Sequence, residues 1–281
     1  MAPRGTVLIT GCSNGGIGSA LALCFQKKGF HVFATARDAK KMSDLDSLPE
    51  TTLLTLDVVN AEQIKAAVDA VSNYTGGTLT YLLNNAGIAR YMPLLDEDMS
   101  EVKRHYDTNV WGPLEVMKAF MPLLMKAKGT VIFNTSASGY VNVPYQAVYA
   151  GGKRATDVMA ATLALELAPF DVKVVSIVTA AVESNALPPT SHDLVLPETS
   201  LYKPIESMFI SRAHGNDGAK RMPRDQYAEQ VVTQIIGGAT GKIWAGGMAA
   251  TVKFVTDWLP LSWLNNSFMK GSGIDVLLKS K

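Results

Sequence analysis

Cysteine is scarce in this chain. Cys12 and Cys24 are the two cysteines among 281 residues, and neither is placed like a cross-link between distant segments. So few thiols exclude the disulfide framework of a small secreted domain. The N-terminal sequence MAPRGTVLIT enters a strand pattern at once and leaves no room for a signal peptide. We therefore expect a cytoplasmic protein.

The chain also lacks an excess of charge of either sign. It has 26 lysines and arginines against 25 acidic residues, and its formal charge is +1. This balance gives no electrostatic basis for binding nucleic acid, and no apolar run is long enough to cross a membrane. Hydrophobic residues still make up 47% of the sequence and charged residues 18%, which is the composition of a globular protein.

Short apolar runs alternate with helical patterns along most of the chain. The runs that predict buried strands lie at 6–10, 31–36, 52–56, 79–83, 129–135, 172–178 and 242–245. Strands that alternate with helices predict a parallel sheet covered by helices on both faces. We expect a Rossmann-type doubly wound α/β fold of about seven strands, forming a single domain over residues 1–245.

A glycine-rich loop, GCSNGGIG, follows the first strand and precedes a helical pattern. A strand, a glycine turn and a helix open the βαβ unit that binds dinucleotides, because glycine lets the backbone approach the pyrophosphate. A tight turn that needs glycine for its own conformation is the alternative. The loop residues expected to contact a cofactor are Gly11, Ser13, Asn14, Gly16, Ile17 and Gly18.

The end of the second strand discriminates between the two nicotinamide cofactors. An acidic residue there binds the ribose 2′-hydroxyl of NAD, whereas an arginine accommodates the 2′-phosphate of NADP. Arg37 comes first and Asp38 follows it. The sequence therefore favours NADP(H); an ordinary surface Arg–Asp turn is the alternative.

A tyrosine and a lysine stand four residues apart at the start of a long apolar helical stretch. Tyr149 and Lys153 would lie on one face of that helix, one turn apart. A free tyrosine has a pKa near ~10, and a neighbouring ammonium favours the phenolate and lowers that pKa. Ser136, at the end of the fifth strand, would hold a carbonyl oxygen while the tyrosine exchanges a proton with it. This set is suited to reducing a ketone or oxidising an alcohol; a chance pair on a solvated helix face is the alternative.

Several other residues follow predicted strands in the same way. The carboxyl ends of parallel strands share one edge of a sheet, where ligands bind. Residues placed at such ends include Gly11, Arg37, Asp57, Asn85 and Ser136. Asn109 lies instead in a helical stretch at 97–128 that we expect to break near Gly112-Pro113, and its apolar neighbours favour a buried structural or catalytic role.

Two segments do not follow the alternation of strands and helices. Residues 180–221 carry four prolines and predict a long irregular loop, whose apolar residues would form a wall over an apolar substrate. The segment 222–236 predicts the last helix. The extension 246–281 alternates apolar patches with single charges, and we expect it to pack on the domain, on a partner subunit or on a membrane surface, in that order.

These motifs together resemble the short-chain dehydrogenase/reductase family over about residues 5–245. The glycine motif is matched by Thr10-Gly11 and Gly16-Ile17-Gly18, and the central motif by Asn84-Asn85-Ala86-Gly87. The catalytic asparagine, serine, tyrosine and lysine are matched by Asn109, Ser136, Tyr149 and Lys153. One departure is Gly151-Gly152 between the tyrosine and lysine, since each glycine in a helix costs about 1 kcal/mol relative to alanine.

The resemblance implies a role for each matched residue in hydride transfer from NADPH to a ketone. Tyr149 would donate the proton, Ser136 would hold the carbonyl oxygen, and Lys153 would lower the tyrosine pKa and bind the nicotinamide ribose. Asn109 would hold a water of a proton relay. The further residues expected at the cofactor are Arg37 at the 2′-phosphate, Asp57 and Val58 at the adenine, and Asn85, Ala86, Gly87, Val182 and Ser184. No metal site is expected.

Within the family the chain is similar to fungal 1-acyl-dihydroxyacetone-phosphate reductases in LPETSLY, MPRDQYA and the C-terminal LLKSK. This likeness implies an acyl-dihydroxyacetone phosphate as substrate, with cations at Arg212, Lys220, Arg221 and Arg224 as candidate phosphate ligands; a solvated basic turn is the alternative. Polyketide-like, steroid-like or other hydrophobic ketones of secondary metabolism are the second hypothesis. A catalytically silent NADP-binding regulator is the third, and the intact tetrad argues against it. The resemblance to the family implies a homo-oligomer. The apolar C-terminal tail gives a peripheral position on the endoplasmic reticulum or lipid droplets as an alternative to the free cytoplasm.

Overall fold

The computed structural model describes residues 3–184 and 194–280, apart from the side chain of Trp263. Within this part of the chain, seven parallel strands form one sheet in the order β3-β2-β1-β4-β5-β6-β7. The strands are β1 (Thr6–Thr10), β2 (His31–Ala36), β3 (Thr51–Thr55), β4 (Tyr81–Asn84), β5 (Thr130–Ser136), β6 (Lys173–Thr179) and β7 (Gly241–Ala245). The predicted Rossmann-type sheet is confirmed.

Helices cover both faces of the sheet. Helices α1 (Ile17–Lys27) and α7 (Arg224–Ile236) lie on one face, and α2 (Ala61–Thr75), α4 (Gly112–Ala127) and α5 (Ala147–Leu167) lie on the other. Successive residues of β1 serve the two layers in turn: Val7 and Ile9 join the α1–α7 core, whereas Leu8 joins the opposite one. This alternation is the period of two that a strand buried on both faces requires.

The helical stretch at 97–128 changes at the predicted position, Gly112-Pro113, through a π-helical turn and not through a complete break. Helix α3 (Met99–Tyr106) continues into a π-helical turn, Asp107–Trp111, and α4 begins at Gly112. The amide of Gly112 bonds to the carbonyl of Asp107, five residues back. Pro113 fits the first turn of α4, where its missing N–H is not needed. The distortion therefore falls on the turn that carries Asn109.

The segment predicted as a long irregular loop contains a helix. A short 3-10 turn, Lys203–Ile205, leads into α6 (Glu206–Ala213). Ile205, Phe209 and Ala213 recur every four residues and are buried. They join Met92, Tyr145, Leu194 and Leu196 in a small core apart from the sheet, here named the lid cluster. The loop prediction was wrong here because a pattern this short was hidden among prolines; Pro188 and Pro189 lie outside the described residues.

Three helices follow α7, which is therefore not the last helix. They are α8 (Ala249–Trp258), α9 (Ser262–Met269) and α10 (Ile274–Lys279). The end of this extension packs on the domain, since Tyr145 donates its hydroxyl to the Ser272 carbonyl at 2.9 Å and Ile274 contacts the lid cluster. In α8, by contrast, Phe254 is 59% and Trp258 75% exposed. Of the helices in the described chain, none has the length and apolarity needed to span a membrane.

Candidate active site

Three residues predicted to act together do meet at the carboxyl edge of the sheet. Ser136 is the last residue of β5, and Tyr149 and Lys153 lie in the first turns of α5. The Ser136 hydroxyl lies near enough to the Tyr149 phenol to lower its pKa, and the Ser136 Oγ accepts from the Ser138 amide at 3.2 Å and from the Ser138 hydroxyl at 2.9 Å. The Lys153 Nζ lies 5.9 Å from the centre of the Tyr149 ring. A hydroxyl, a phenol and an ammonium are therefore adjacent.

The electrostatics of this trio differ from the expectation in one respect. Burial raises the pKa of the Tyr149 phenol, and the contact with Ser136 opposes that rise. Lys153 is 8% exposed and donates its Nζ to the Asn134 carbonyl at 2.7 Å. Burial lowers the pKa of the Lys153 ammonium to about 8. The expected lowering of the tyrosine pKa by Lys153 is not found: desolvation, which disfavours the charged form of both groups, sets the direction of both shifts.

Asn109 lies beside the trio, in the π-helical turn. Its Oδ1 accepts from the Ile88 amide at 2.8 Å, and its Nδ2 donates to the Ile88 carbonyl at 2.8 Å. A Cβ placed on Gly87 would lie 3.2 Å from the Asn109 Oδ1 and 3.5 Å from the Lys153 Nζ. The strand-end glycine therefore sits where the asparagine and lysine converge.

His105 completes this corner and was missed from the sequence. It is 1% exposed, and its Nε2 lies 2.9 Å from the Asn109 Nδ2. Because Ile88 fixes Nδ2 as the donor, Nε2 must be the acceptor, and the ring must be neutral with its proton on Nδ1. Burial, aided by the Lys153 charge, lowers the pKa of His105 to about 4. A histidine four residues before Asn109, on the same helix face, was the available sequence signal.

A second buried chain of polar groups links the strand ends. The Asn134 amide donates to the Asn85 Oδ1 at 2.9 Å, and Thr179 donates to the Asn134 Oδ1 at 2.5 Å. Tyr227 of α7 lies 2.5 Å from the Thr179 hydroxyl. Asn85 in turn donates to the Thr10 carbonyl at 2.8 Å. The side chain of Asn85 thus ties the end of β4 to β1. Asn134, Thr179 and Tyr227 were not predicted from the sequence, and their hydrogen bonds in the folded chain identify them.

The glycine loop lies between β1 and β4, where the strand order reverses. Gly11 has φ +76°, and a Cβ there would lie 2.8 Å from the Ala86 Cα. A Cβ on Gly18 would lie 2.3 Å from the Gly11 carbonyl oxygen. Backbone elements approach so closely that these positions accept glycine alone.

The loop also meets the requirements of a pyrophosphate site. Gly16 precedes α1, and no side chain among the described residues caps the helix. The N–H groups of the first turn, which starts at Ile17, are therefore left for an anion, and the helix dipole favours one there. Ser13 supports the turn, because its backbone carbonyl accepts a hydrogen bond from the Gly16 amide at 3.0 Å. The residues fit a dinucleotide.

Asn14 makes protein contacts with the neighbouring turn. Its Nδ2 donates to the Ser43 hydroxyl at 2.6 Å, and its Oδ1 accepts the Asp44 amide at 3.2 Å. Arg224 of α7 reaches the loop from the other side and donates to the Gly15 carbonyl at 3.3 Å. These contacts hold the loop between two helical segments.

At the end of β2 the two charged residues differ in their contacts. Asp38 caps the following 3-10 turn, Ala39–Met42, by accepting the Lys40 amide at 3.0 Å. Arg37 is exposed. Both side chains are exposed, and the difference is that one oxygen of the Asp38 carboxylate is engaged with the backbone.

The remaining predicted contact residues lie along the same edge. Asp57 caps a turn through the Val59 amide, and Val58 is buried against Gly112. Val182 is 8% exposed and pairs with Met222 in an isolated bridge. Ser184 is the last described residue before the gap at 185–193.

One of the two helix glycines has a packing reason. A Cβ on Gly151 would lie 2.8 Å from the Tyr106 hydroxyl, so alanine there would press on α3. A Cβ on Gly152 would lie 3.4 Å from the Val110 Cγ2, which is an ordinary van der Waals contact. Gly151 therefore lets α5 approach the end of α3.

The four candidate cations are not equivalent. Arg221 pairs with Asp217 at 2.9 Å, Arg224 contacts Gly15, and Lys220 is exposed. Arg212 forms no ion pair with any described residue, and its buried Nε has no hydrogen-bond partner there. Its charge acts on the nearby Tyr91 and Tyr145 phenols of the lid cluster region.

Comparisons with known proteins agree with this architecture. The family model described as short chain dehydrogenase matches residues 5–194. A short-chain dehydrogenase of Penicillium crustosum is 42% identical over 257 residues, covering 92% of this chain and 94% of that protein. The NADPH-dependent 1-acyldihydroxyacetone phosphate reductase of Schizosaccharomyces pombe is 35% identical over 258 residues, covering 87% and 86%.

Solved structures show the same fold. A short chain dehydrogenase from Burkholderia cenocepacia, in complex with NADP, superposes with a TM-score of 0.73 at 23% identity, covering 92% of this chain and 94% of that one. A short-chain dehydrogenase from Streptomyces avermitilis superposes with a TM-score of 0.76 at 22% identity, covering 92% and 97%.

Proposed function

Because this chain belongs to the short-chain dehydrogenase family, an oxidoreductase family, we propose that it is an NADPH-dependent carbonyl reductase. The observation that carries the proposal is the grouping of Ser136, at the end of β5, with Tyr149 and Lys153, in the first turns of α5. Ser136 is near enough to the Tyr149 phenol to lower its pKa, and the Lys153 ammonium lies 5.9 Å from the tyrosine ring. A hydroxyl that positions a carbonyl oxygen beside a proton donor is what ketone reduction requires of the protein.

The cofactor is NADP(H), held along the carboxyl edge of the sheet. The glycine loop and the uncapped start of α1 would take the pyrophosphate, and exposed Arg37 would take the 2′-phosphate. One oxygen of the Asp38 carboxylate already accepts the Lys40 amide, which favours Arg37 as the residue that meets the adenosine ribose, and so NADP over NAD. The Schizosaccharomyces pombe relative is named as NADPH-dependent. When bound, the nicotinamide supplies the hydride.

Tyr149 is the proton donor in this proposal. Burial raises the pKa of its phenol, so the group keeps its proton at neutral pH. That protonated form is the one needed to deliver a proton to the carbonyl oxygen during reduction. Ser136 would hold the same oxygen through its hydroxyl.

Lys153 and Asn109 would return the proton. Lys153, with a pKa of about 8, exchanges protons readily near neutral pH, and it would also bind the nicotinamide ribose. The Asn109 backbone carbonyl accepts from the Thr156 hydroxyl at 3.1 Å, and a water would be a second donor to it. That water would connect the lysine to solvent.

The substrate is an acyl-dihydroxyacetone phosphate. The Schizosaccharomyces pombe relative is named for that substrate, and it is 35% identical over most of both chains. Arg212, which lacks a described carboxylate partner, is suited to a phosphate.

The test is NADPH consumption by the purified protein with a long-chain acyl-dihydroxyacetone phosphate, beside a panel of neutral hydrophobic ketones. Tyr149→Phe is the blank. We expect it to bind NADPH as the wild type does and to lose turnover about 10²- to 10⁴-fold, the usual contribution of a positioned acid. Retained turnover in this variant would remove Tyr149 from proton transfer.

The panel also decides the substrate. Turnover of the phosphate with little of the neutral ketones supports a role in lipid synthesis. Turnover of the neutral ketones alone contradicts the phosphate assignment while leaving the carbonyl reductase in place. No turnover of any ketone, with NADPH still bound, contradicts the enzyme proposal itself.

A further inference from the structure

A buried carboxylate lies directly behind the candidate active site. Asp157 is on α5, one helical turn beyond Lys153, and is 1% exposed. Its Oδ2 accepts from the Tyr140 hydroxyl at 2.6 Å and from the Arg154 Nη1 at 3.1 Å. The Lys242 Nζ lies 3.0 Å from the same oxygen. Its Oδ1 accepts from the Ser176 hydroxyl at 2.7 Å.

These four donors come from four different places in the fold. Arg154 belongs to α5 itself, Ser176 to β6 and Lys242 to β7. Tyr140 belongs to the loop that leaves β5, four residues after Ser136. Asp157 therefore connects the helix that carries Tyr149 to the loop that follows Ser136.

The Tyr140 ring is held on several sides. The Arg154 guanidinium lies 4.4 Å from its centre, the Lys242 Nζ 5.1 Å, and the Trp244 ring 4.9 Å. Lys242 also donates to the Tyr140 hydroxyl at 2.6 Å. The loop packs tightly on α5 as well, since a Cβ on Gly139 would lie 3.2 Å from the Arg154 amide nitrogen.

Such an arrangement has one stable geometry. A buried carboxylate is tolerated only when its lone pairs are satisfied, and here two cations and two hydroxyls satisfy them. Moving the loop relative to α5 would separate the Tyr140 hydroxyl from Asp157 and leave buried polar groups unpaired. The Ser136-to-Tyr149 spacing is thus coupled to the Asp157 contacts.

We propose that Asp157 and Tyr140 are positioning residues that fix the Ser136 loop against α5 and so set the approach of the Ser136 hydroxyl to the Tyr149 phenol. This inference rests on the proposed carbonyl reductase function. A displacement of about 1 Å between reacting groups lowers rates by about 10²-fold. We call the contacts of Asp157 and Tyr140 the clamp. Loss of the clamp would lower kcat and leave NADPH binding unchanged, because neither residue reaches the glycine loop.

The test uses two variants. Tyr140→Phe keeps the ring and removes the hydroxyl, and Asp157→Asn keeps the shape and removes the charge. We expect kcat to fall about tenfold in the first and about 10²-fold in the second, with the NADPH dissociation constant within about twofold of wild type. Hydrogen exchange of the peptide spanning 136–146 should speed up in both, ahead of the rest of the chain.

Matched controls make the same chemical changes elsewhere. Tyr74→Phe removes an exposed hydroxyl that lies 3.4 Å from the Glu50 carboxylate. Asp171→Asn removes an exposed carboxylate paired with Lys128 at 2.7 Å. Both should leave kcat and the exchange of residues 136–146 unchanged.

The exchange measurement separates the two levels of inference. If wild-type protein reduces no ketone, the proposed function fails, while faster exchange confined to 136–146 still supports the clamp. Unchanged exchange in both variants overturns it. Faster exchange spread evenly over the chain would also overturn the clamp proposal. Faster exchange at 136–146 with an unaltered kcat would overturn it as well. Should Asp157→Asn fail to fold, Tyr140→Phe alone decides.

Discussion

Acid should destabilise this protein through the buried side chain of His105. His105 is 1% exposed, and its pKa lies at about 4, against 6.5 for the free side chain. Between these values the unfolded chain binds a proton that the folded chain does not. The free energy of unfolding therefore rises with pH across this window and falls as the pH drops from 6.5 towards 4. The Asn109 Nδ2–H points at the His105 Nε2 and therefore also disfavours protonation of that nitrogen in the folded protein.

The size of the effect follows from the shift. A difference of about 2.5 pKa units at 1.36 kcal/mol each gives about 3 kcal/mol in full. About 2 kcal/mol of that should be lost between pH 7 and pH 5, since at pH 5 the unfolded histidine is almost wholly protonated and the folded one is not. This is a large part of the total stability of a typical domain.

The assay is urea unfolding at pH 7 and pH 5 for wild type and His105→Gln. Glutamine offers an acceptor to Asn109 but does not titrate. We expect wild type to lose about 2 kcal/mol more than this variant over the interval. His214→Gln, at an exposed histidine, should behave as wild type does. If wild type and His105→Gln lose the same free energy to within about 0.5 kcal/mol, the assignment of a neutral buried His105 is refuted.

Two further changes test the cofactor site. Arg37→Ala should weaken NADPH binding about ten- to a hundredfold, the value of a charge-assisted hydrogen bond, and NADH binding far less; equal losses in a fluorescence titration would contradict the assignment of Arg37 to the 2′-phosphate. Gly18→Ala should abolish NADPH binding and lower the melting temperature, because its Cβ would lie 2.3 Å from the Gly11 carbonyl oxygen; normal binding would mean that the β1–α1 turn relaxes.

The lid cluster and the C-terminal extension form a unit that the sequence did not reveal. Tyr145 has φ +68° and donates to the Ser272 carbonyl, so the residue just before α5 is fixed by a segment more than a hundred positions away. Ile205 packs against Gly273, where a Cβ would lie 2.6 Å from the Ile205 Cδ1. Such contacts depend on the chain returning to itself, and no local pattern of apolar residues predicts them.

The sequence determined the parallel sheet, the alternation of strands and helices along residues 1–245, and the edge of the sheet at which the candidate site lies. Runs of β-branched residues form strands, and glycine is required where two backbones touch. Parallel strands bring their carboxyl ends to one edge of the sheet. These rules were enough to place Gly11, Arg37 and Ser136 together at that edge. The spacing of Tyr149 and Lys153 likewise placed both on one helix face.

Tertiary structure alone decided the chemistry around these residues. Burial reversed the expected shift of the Tyr149 pKa, because desolvation depends on what packs around a group and not on its neighbours in the chain. The π-helical turn placed Asn109 against Ile88 and made His105 neutral. Asp157 gathered its four donors from α5, β6, β7 and a loop. The sequence named the reacting groups, whereas their protonation and mutual approach arise from contacts between segments that only the folded chain brings together.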